Sequence, residues 1–191
     1  MPEIIQHPKY SHFVQMEALE LQYYGPEYIT PAEEAYRWYQ HYPYTVVAAE
    51  EAGQIVGFVN LFPVKEPIAQ ALKAGEFNDH DLTPEGVVDL AADQQGPLHM
   101  FLSCVLVEPE YRRQGLTRAL LRAASDQYDS VYHRCVEVIT DNVTEEGERF
   151  SQRYGFRKLC HSHHGSVVYV QPWQHFVQIL AQGAKGEGMG S

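Results

Sequence analysis

The segment Tyr111-Arg112-Arg113-Gln114-Gly115-Leu116-Thr117 carries the residue types with the clearest chemistry in the chain. It follows an apolar run, PLHMFLSCVLV, closed by Pro109, and it lies within EPEYRRQGLTRALLRAASDQY, where Leu116, Leu120, Leu121 and Ala124 recur at helical spacing. A turn leading from a buried strand into a helix points unpaired N–H groups one way. The helix dipole adds positive potential, and Gly115 lets a ligand come close to the backbone. Arg112 and Arg113 add charge and side-chain donors. The chemistry this implies is anion binding, of phosphate above all; taken alone, RRxG is more simply a loop with two solvated arginines.

Other candidate groups have plainer readings. His161 to His164 form an HSHH run in which His161 and His163 project to one strand face. With no HExxH and no paired CxxC beside them, a polar hairpin turn explains the run and no metal is expected. Cys104 sits in FLSCVLV without a neighbouring cationic activator, which reads as a packed thiol rather than a nucleophile.

Val107 to Leu116, Val-Glu-Pro-Glu-Tyr-Arg-Arg-Gln-Gly-Leu, resembles the cofactor loop of the GNAT superfamily of acetyltransferases. That pattern is Gln or Arg, two residues, Gly, one residue, Gly or Ala; here it reads Arg112, Gly115, Thr117. Phe150 with Gly155-Phe156 is similar to the family's Phe-Tyr, three residues, Gly-Phe element, at the right distance downstream. The resemblance covers about residues 10 to 171. It implies an α/β fold of GNAT type, a mixed central sheet flanked by helices with a splay between the fourth and fifth strands, where acetyl-CoA lies as co-substrate. Backbone groups of Val105, Leu106 and Val107 would pair with the pantetheine arm. Amides of Arg113, Gln114, Gly115, Leu116 and Thr117 would bind the pyrophosphate, with Arg112 and Arg118 neutralising it, and Asn142 would lead into a helix that flanks the thioester.

The departures from the pattern locate the open questions. Thr117 replaces a smaller residue and either crowds the phosphate or donates a hydroxyl to it. Thr144 and Gly147 stand where the family often has Asn and Ala. Ser151 stands where many members carry the tyrosine that protonates the leaving thiolate; its hydroxyl is a shorter and poorer acid, and Tyr154, one turn on, is the substitute candidate beside a packing role against Phe156. The reaction also needs a base to collect the ammonium proton. His99 on the strand before the loop is one candidate, as are Glu50 and Glu51 at a hairpin, although a lone His in an apolar strand is more often structural. A backbone N–H near Val105 to Val107 would stabilise the oxyanion. The tyrosines of the first helices, Tyr23, Tyr24, Tyr28, Tyr36, Tyr39 and Tyr42, with Trp38, belong to a region that in this family covers the acceptor, and one or two are expected to touch it.

The elements that position these groups alternate in type. Two short helices fit residues 10 to 42, the second opened by Thr30 as N-cap, Pro31 at the first helical position and Glu33 completing a capping box. YTVVAAEEAGQIVGFVNLFPV reads as a hairpin turning near Gly53. Residues 65 to 97 read as an insertion, with a short helix in KEPIAQALKAG and a polar connection after it. RCVEVIT is a strand, NVTEEGERFSQRYGF a helix capped near Asn142 or Thr144 and ended by Gly155, and FRKLCHS with GSVVYVQ a strand pair. PWQHFVQILAQ is a final helix whose apolar face, Trp173, Phe176, Val177 and Leu180, serves either as core or as a homodimer contact.

With 191 residues, 45% of them hydrophobic, the chain is expected to form one N-acetyltransferase domain over residues 1–182 with a flexible tail at 183–191. Fourteen Lys and Arg against 25 Asp and Glu give a charge of -11, which disfavours nucleic acid as a partner and tilts the acceptor toward cations. Three separated cysteines, no basic-then-apolar leader and no long apolar span imply a cytoplasmic protein with no membrane partner. The expected function is acetyl transfer from acetyl-CoA to a primary amine of a small molecule or peptide by direct attack. The alternatives are a catalytically weak acyl-CoA-binding sensor and a phosphate-binding protein unrelated to CoA.

Overall fold

The structure, a computed structural model, describes residues 1–182, so the expected tail at 183–191 lies outside the described residues. The described residues sort into two compact units, Met1–Leu61 with Cys104–Asp129, and Phe62–Ser103 with the described residues from Ser130.

The first unit holds β1 (Glu3–Ile5), α1 (Tyr10–Glu20), α2 (Ala32–His41), β2 (Val46–Glu51), most of β3 (Gln54–Val64), the end of β4 (Leu98–Val107) and α4 (Leu116–Asp126). The second holds α3 (Glu66–Lys73), the start of β4, β5 (Cys135–Asn142), α5 (Glu145–Arg153), β6 (Arg157–His161), β7 (Val167–Pro172) and α6 (Trp173–Gln182). The strands form one mixed sheet in the order β1-β2-β3-β4-β5-β7-β6. β4 and β5 are parallel, and their ladder runs from Leu98↔Cys135 to Phe101↔Ile139, although β4 continues to Val107 and β5 to Asn142. β5 keeps its antiparallel partner β7 to the end, at Asn142↔Val167.

In the first unit the hairpin forms as its sequence requires, with Ala52 at φ 51° and Gly53 at φ 80° in the tight turn between β2 and β3. α1 buries Phe13, Met16 and Leu19 in a core shared with Ala32, Tyr39, Ala48, Phe58 and Leu106. β1 was not legible in the sequence: EII is too short to show a period, and it becomes a strand only because β2 offers an edge, with Ile5 opposite Ala48.

The expected cap of α2 is corrected. Its N-cap is Pro31, with extended backbone and no side chain of its own to offer, and exposed Thr30 plays no capping part. The carboxylate of Glu17 on α1 accepts the Ala32 N–H at 2.8 Å instead. A cap supplied from another helix cannot be read from local spacing.

In the second unit residues 65–97 are tied down at both ends. α3 buries Ala69 and Leu72, Lys65 N–H bonds the Gly86 carbonyl at 2.9 Å, and Val64 bridges Val87. Buried Arg134 closes the loop, donating from Nε to Gly96 O at 2.8 Å and from Nη2 to Asp93 Oδ1 at 3.0 Å. α5 is capped by Thr144, whose hydroxyl accepts the Gly147 N–H at 3.1 Å, and it ends before Gly155 at φ 80°, both as read from the sequence. Trp173, Phe176 and Leu180 of α6 are fully buried, so that face is core within this unit. No helix among the described residues is long and apolar enough to cross a membrane.

Replacing Glu17 by Ala should cost about 1 to 2 kcal/mol by removing the α2 cap, whereas Thr30→Ala should stay within about 0.5 kcal/mol of wild type; urea unfolding of the two variants checks this.

Candidate functional site

The loop after β4 is built to leave amides unpaired. Pro109 stops the strand and opens a single 3-10 turn, Pro109–Tyr111. Arg112 is extended, Arg113 lies at φ 62°, and Gly115 at φ 80° is the N-cap of α4. A non-glycine residue in the left-handed region costs about 1 to 3 kcal/mol and persists only where its surroundings impose it. Gly115 carries no capping side chain, and a β-carbon built on it would meet nothing within 4 Å. Open space therefore faces the first turn of α4.

Electrostatics reinforce that opening. α2, α3 and α5 begin with glutamates, but α4 has no acidic residue in its first turn and has Arg112, Arg113 and Arg118 around it. Leu116 is buried at 1% and anchors the helix start, while Arg113 and Gln114 are exposed. Arg112 braces the turn: Nε donates to Val107 O at 2.9 Å and the guanidinium lies 6.0 Å from the centre of the Tyr23 ring. An anion at this turn would meet a helix dipole and nearby guanidinium charge, with no acidic residue in the first turn of α4.

Behind the loop, β4 is buried from Leu98 to Leu102, becomes half-buried over Ser103, Cys104 and Val105, and is buried again at Leu106 and Val107. A carboxylate that the sequence reading passed over faces that half-open stretch. Glu20, in the last turn of α1, accepts a long hydrogen bond from the Cys104 thiol, with Sγ 3.8 Å from Oε1. Burial, with a smaller contribution from the charge of Glu17, pushes its carboxyl up to about 7 against the opposing thiol bond. The signal was present: Phe13, Met16 and Glu20 fall at helical i, i+3, i+7 spacing, placing an acid on the apolar side of α1.

The remaining candidates sit in the second unit. Ser151 is fully buried, and its Oγ accepts a hydrogen bond from Asn142 Nδ2 at 2.9 Å; the same amide reaches Val167 O at 3.4 Å. Gly147 makes this possible, because a β-carbon there would come within 2.8 Å of Asn142 Oδ1. Tyr154 is buried at 7% and stacks on Phe150 with ring centres 4.8 Å apart. His99 is also buried, with Nδ1 2.8 Å from Glu137 Oε1, and the same oxygen takes the Lys73 ammonium at 2.7 Å. It is thus committed to a paired cluster facing α3. In the HSHH run, His164 bonds Asp141 Oδ2 and Ser166 Oγ, each at 3.0 Å. Among the described residues no group of three or more His, Cys, Asp or Glu is placed to hold a metal ion. Burial pushes the Cys135 thiol up to about 12, which makes it unreactive at neutral pH.

A mixed sheet with a parallel β4–β5 pair, whose strand β4 runs into an arginine-flanked helix start, defines an α/β protein. The chain belongs to the acetyltransferase (GNAT) family, whose family model matches residues 13–156. Solved structures agree in fold. The loading GNATL domain of CurA from Lyngbya majuscula is 18% identical with a TM-score of 0.63, covering 92% of this chain and 99% of its own. The PaiA N-acetyltransferase of Thermoplasma acidophilum, solved with coenzyme A, is 12% identical at 0.59, covering 90% and 99%. The diaminobutyrate acetyltransferase EctA of Paenibacillus lautus, solved with its substrate and coenzyme A, is 17% identical at 0.53, covering 91% and 97%. No curated protein matches the sequence.

Ser151→Ala leaves one Asn142 N–H short of its best partner in a buried site and should cost about 1 to 3 kcal/mol of stability. Chemical denaturation measures the loss, and any fall in activity should follow the folded fraction.

Proposed function

We propose that the protein transfers the acetyl group of acetyl-CoA to the primary amine of a small molecule or peptide by direct attack. The observation that carries this reading is the start of α4, where Gly115 opens onto free space, no acid occupies the first turn, and Arg112 is fixed beside it. Acetyl-CoA brings a pyrophosphate of matching charge. The amides of Arg113 to Thr117 would bind it, with Arg118 nearby, and the backbone of Val105, Leu106 and Val107 would pair with the pantetheine arm. The β4–β5 ladder supports the second part, since it stops at Phe101↔Ile139 and leaves the end of β4 without a β5 partner in that ladder.

In the reaction the amine nitrogen forms a bond to the thioester carbon, the carbon–sulfur bond breaks, and CoA departs as a thiolate. A thiol of pKa about 8.5 is a good leaving group, so departure requires no dedicated acid. That suits a Ser151 fully buried against Asn142 and a Tyr154 packed on Phe150, which act here by supporting Asn142 and α5. The family match runs through both units, so one N-acetyltransferase domain over residues 1–182 is part of the proposal. The acidic charge favours a cationic acceptor, and a cytoplasmic setting is part of the proposal.

Calorimetric titration of the purified protein with acetyl-CoA should give one site per chain. Arg112→Ala removes a charge-assisted donor worth about 1.5 to 3 kcal/mol, or roughly 10- to 100-fold in affinity; adding Gly115→Glu should abolish binding. Amine-dependent release of free CoA then separates a transferase from an acyl-CoA-binding sensor, which would bind without turnover. Wild-type protein that does not bind acetyl-CoA contradicts the reading.

A further inference from the structure

We infer that Glu20 is the proton acceptor for the attacking amine, with the Cys104 thiol donating the hydrogen bond that holds its carboxyl beside β4. This rests on the transfer reading above and supplies the catalytic group that reading lacks.

Position is the first argument. Glu20 ends the buried face of α1 that Phe13, Met16 and Leu19 begin, yet it stays half-buried rather than sealed. Its hydrogen-bond partner, Cys104, is covalently joined to Val105, the first residue of the segment proposed to pair with pantetheine. A carboxyl fixed at that point of β4 lies next to the strand along which the acyl group would be delivered.

Several other acids are already occupied. Glu17, one turn earlier, is held by the Ala32 N–H. Glu50 lies 3.3 Å from His12 Nε2. Glu137 is shared between His99 and Lys73, which also withdraws His99 from the role. Among the described residues Glu20 forms no ion pair. Placing a carboxylate on the apolar side of a helix without a cation is costly, and a ligand ammonium is the counter-charge that would relieve that cost.

Chemistry is the second. A base is most effective when its pKa lies near the working pH. Burial and the neighbouring Glu17 charge raise Glu20 to about 7, and the thiol bond from Cys104 opposes them. The two titratable groups that face it are thus Glu17 on its own helix and Cys104 on β4. Glu20 takes one proton from the bound ammonium and frees the lone pair. That pair forms the carbon–nitrogen bond as the carbon–sulfur bond breaks. The second nitrogen proton neutralises the CoA thiolate, and the proton on Glu20 leaves to water.

The test uses the full chain with acetyl-CoA and 1,4-diaminobutane as probe amine. Glu20→Gln should lower kcat/KM by about 100-fold or more, while acetyl-CoA affinity stays at the wild-type value. The wild-type rate should rise with pH through a limb near 7. Cys104→Ala removes a donor that favours the carboxylate, so the limb should move to higher pH; Cys104→Ser retains a donor and should leave it in place. Stability gives a readout independent of the acceptor. The folded state binds the Glu20 proton more tightly than the unfolded chain, so its penalty grows as pH rises from the ordinary carboxylate range through the raised value. Glu20→Gln should therefore melt higher than wild type at about pH 8, with the gap closing by about pH 5. A Glu20→Gln enzyme that keeps its turnover and rising limb, or a melting gap that does not change with pH, overturns the inference. Wild-type protein that binds acetyl-CoA but acetylates no amine overturns the transfer reading, and this one with it; intact wild-type turnover with an indifferent Glu20→Gln variant overturns this one alone.

Discussion

The turn that ends β4 and begins α4 is the constraint on which the proposed chemistry depends. Arg113 and Gly115 both occupy the left-handed region, and Arg112 is pinned to the Val107 carbonyl, so the path of the chain into α4 is fixed. Leu116 holds the helix start in the core, which turns a strained loop into a fixed one. The strain at Arg113 is of a size that buried packing readily offsets. In the proposed reading the amides of this turn form a preorganised set of donors, whose geometry need not be created when a ligand arrives.

Several carboxylates have an identifiable use: Glu17 caps a helix, Glu137 joins a histidine and a lysine, and exposed Asp93 is held below its usual range by the Gly96 and Gln95 N–H groups, then by Arg134. Glu20 stands apart because, among the described residues, its side chain accepts from a thiol alone, a weak donor, and its ionisation is opposed by burial. A group kept in that condition adds nothing to stability at neutral pH.

The loop, the hairpin, the buried central strand and the Thr144 cap of α5 were legible in the sequence because each is encoded within a few residues: Gly53, Gly115, Pro109, and Thr144 three residues before Gly147. What escaped reading depends on partners far along the chain. α2 is capped from Glu17 rather than Thr30, β1 exists through the edge of β2, and Glu137, thirty-eight positions from His99, decides what His99 does. Ser151 shows the limit of transferring a role by position alone: the spacing located the residue, but its meaning depends on Asn142 and on the absence of a side chain at Gly147. Glu20 was visible as an acid in an apolar stripe; only the approach of Cys104 gives it significance.

Amide NMR during addition of coenzyme A tests the central claim most directly, because the claim concerns backbone N–H groups. The account predicts that the signals of Arg113, Gln114, Gly115, Leu116 and Thr117 shift together and become protected from exchange at saturation. Binding that leaves those five amides unmoved, with the changes centred elsewhere in the chain, would contradict it.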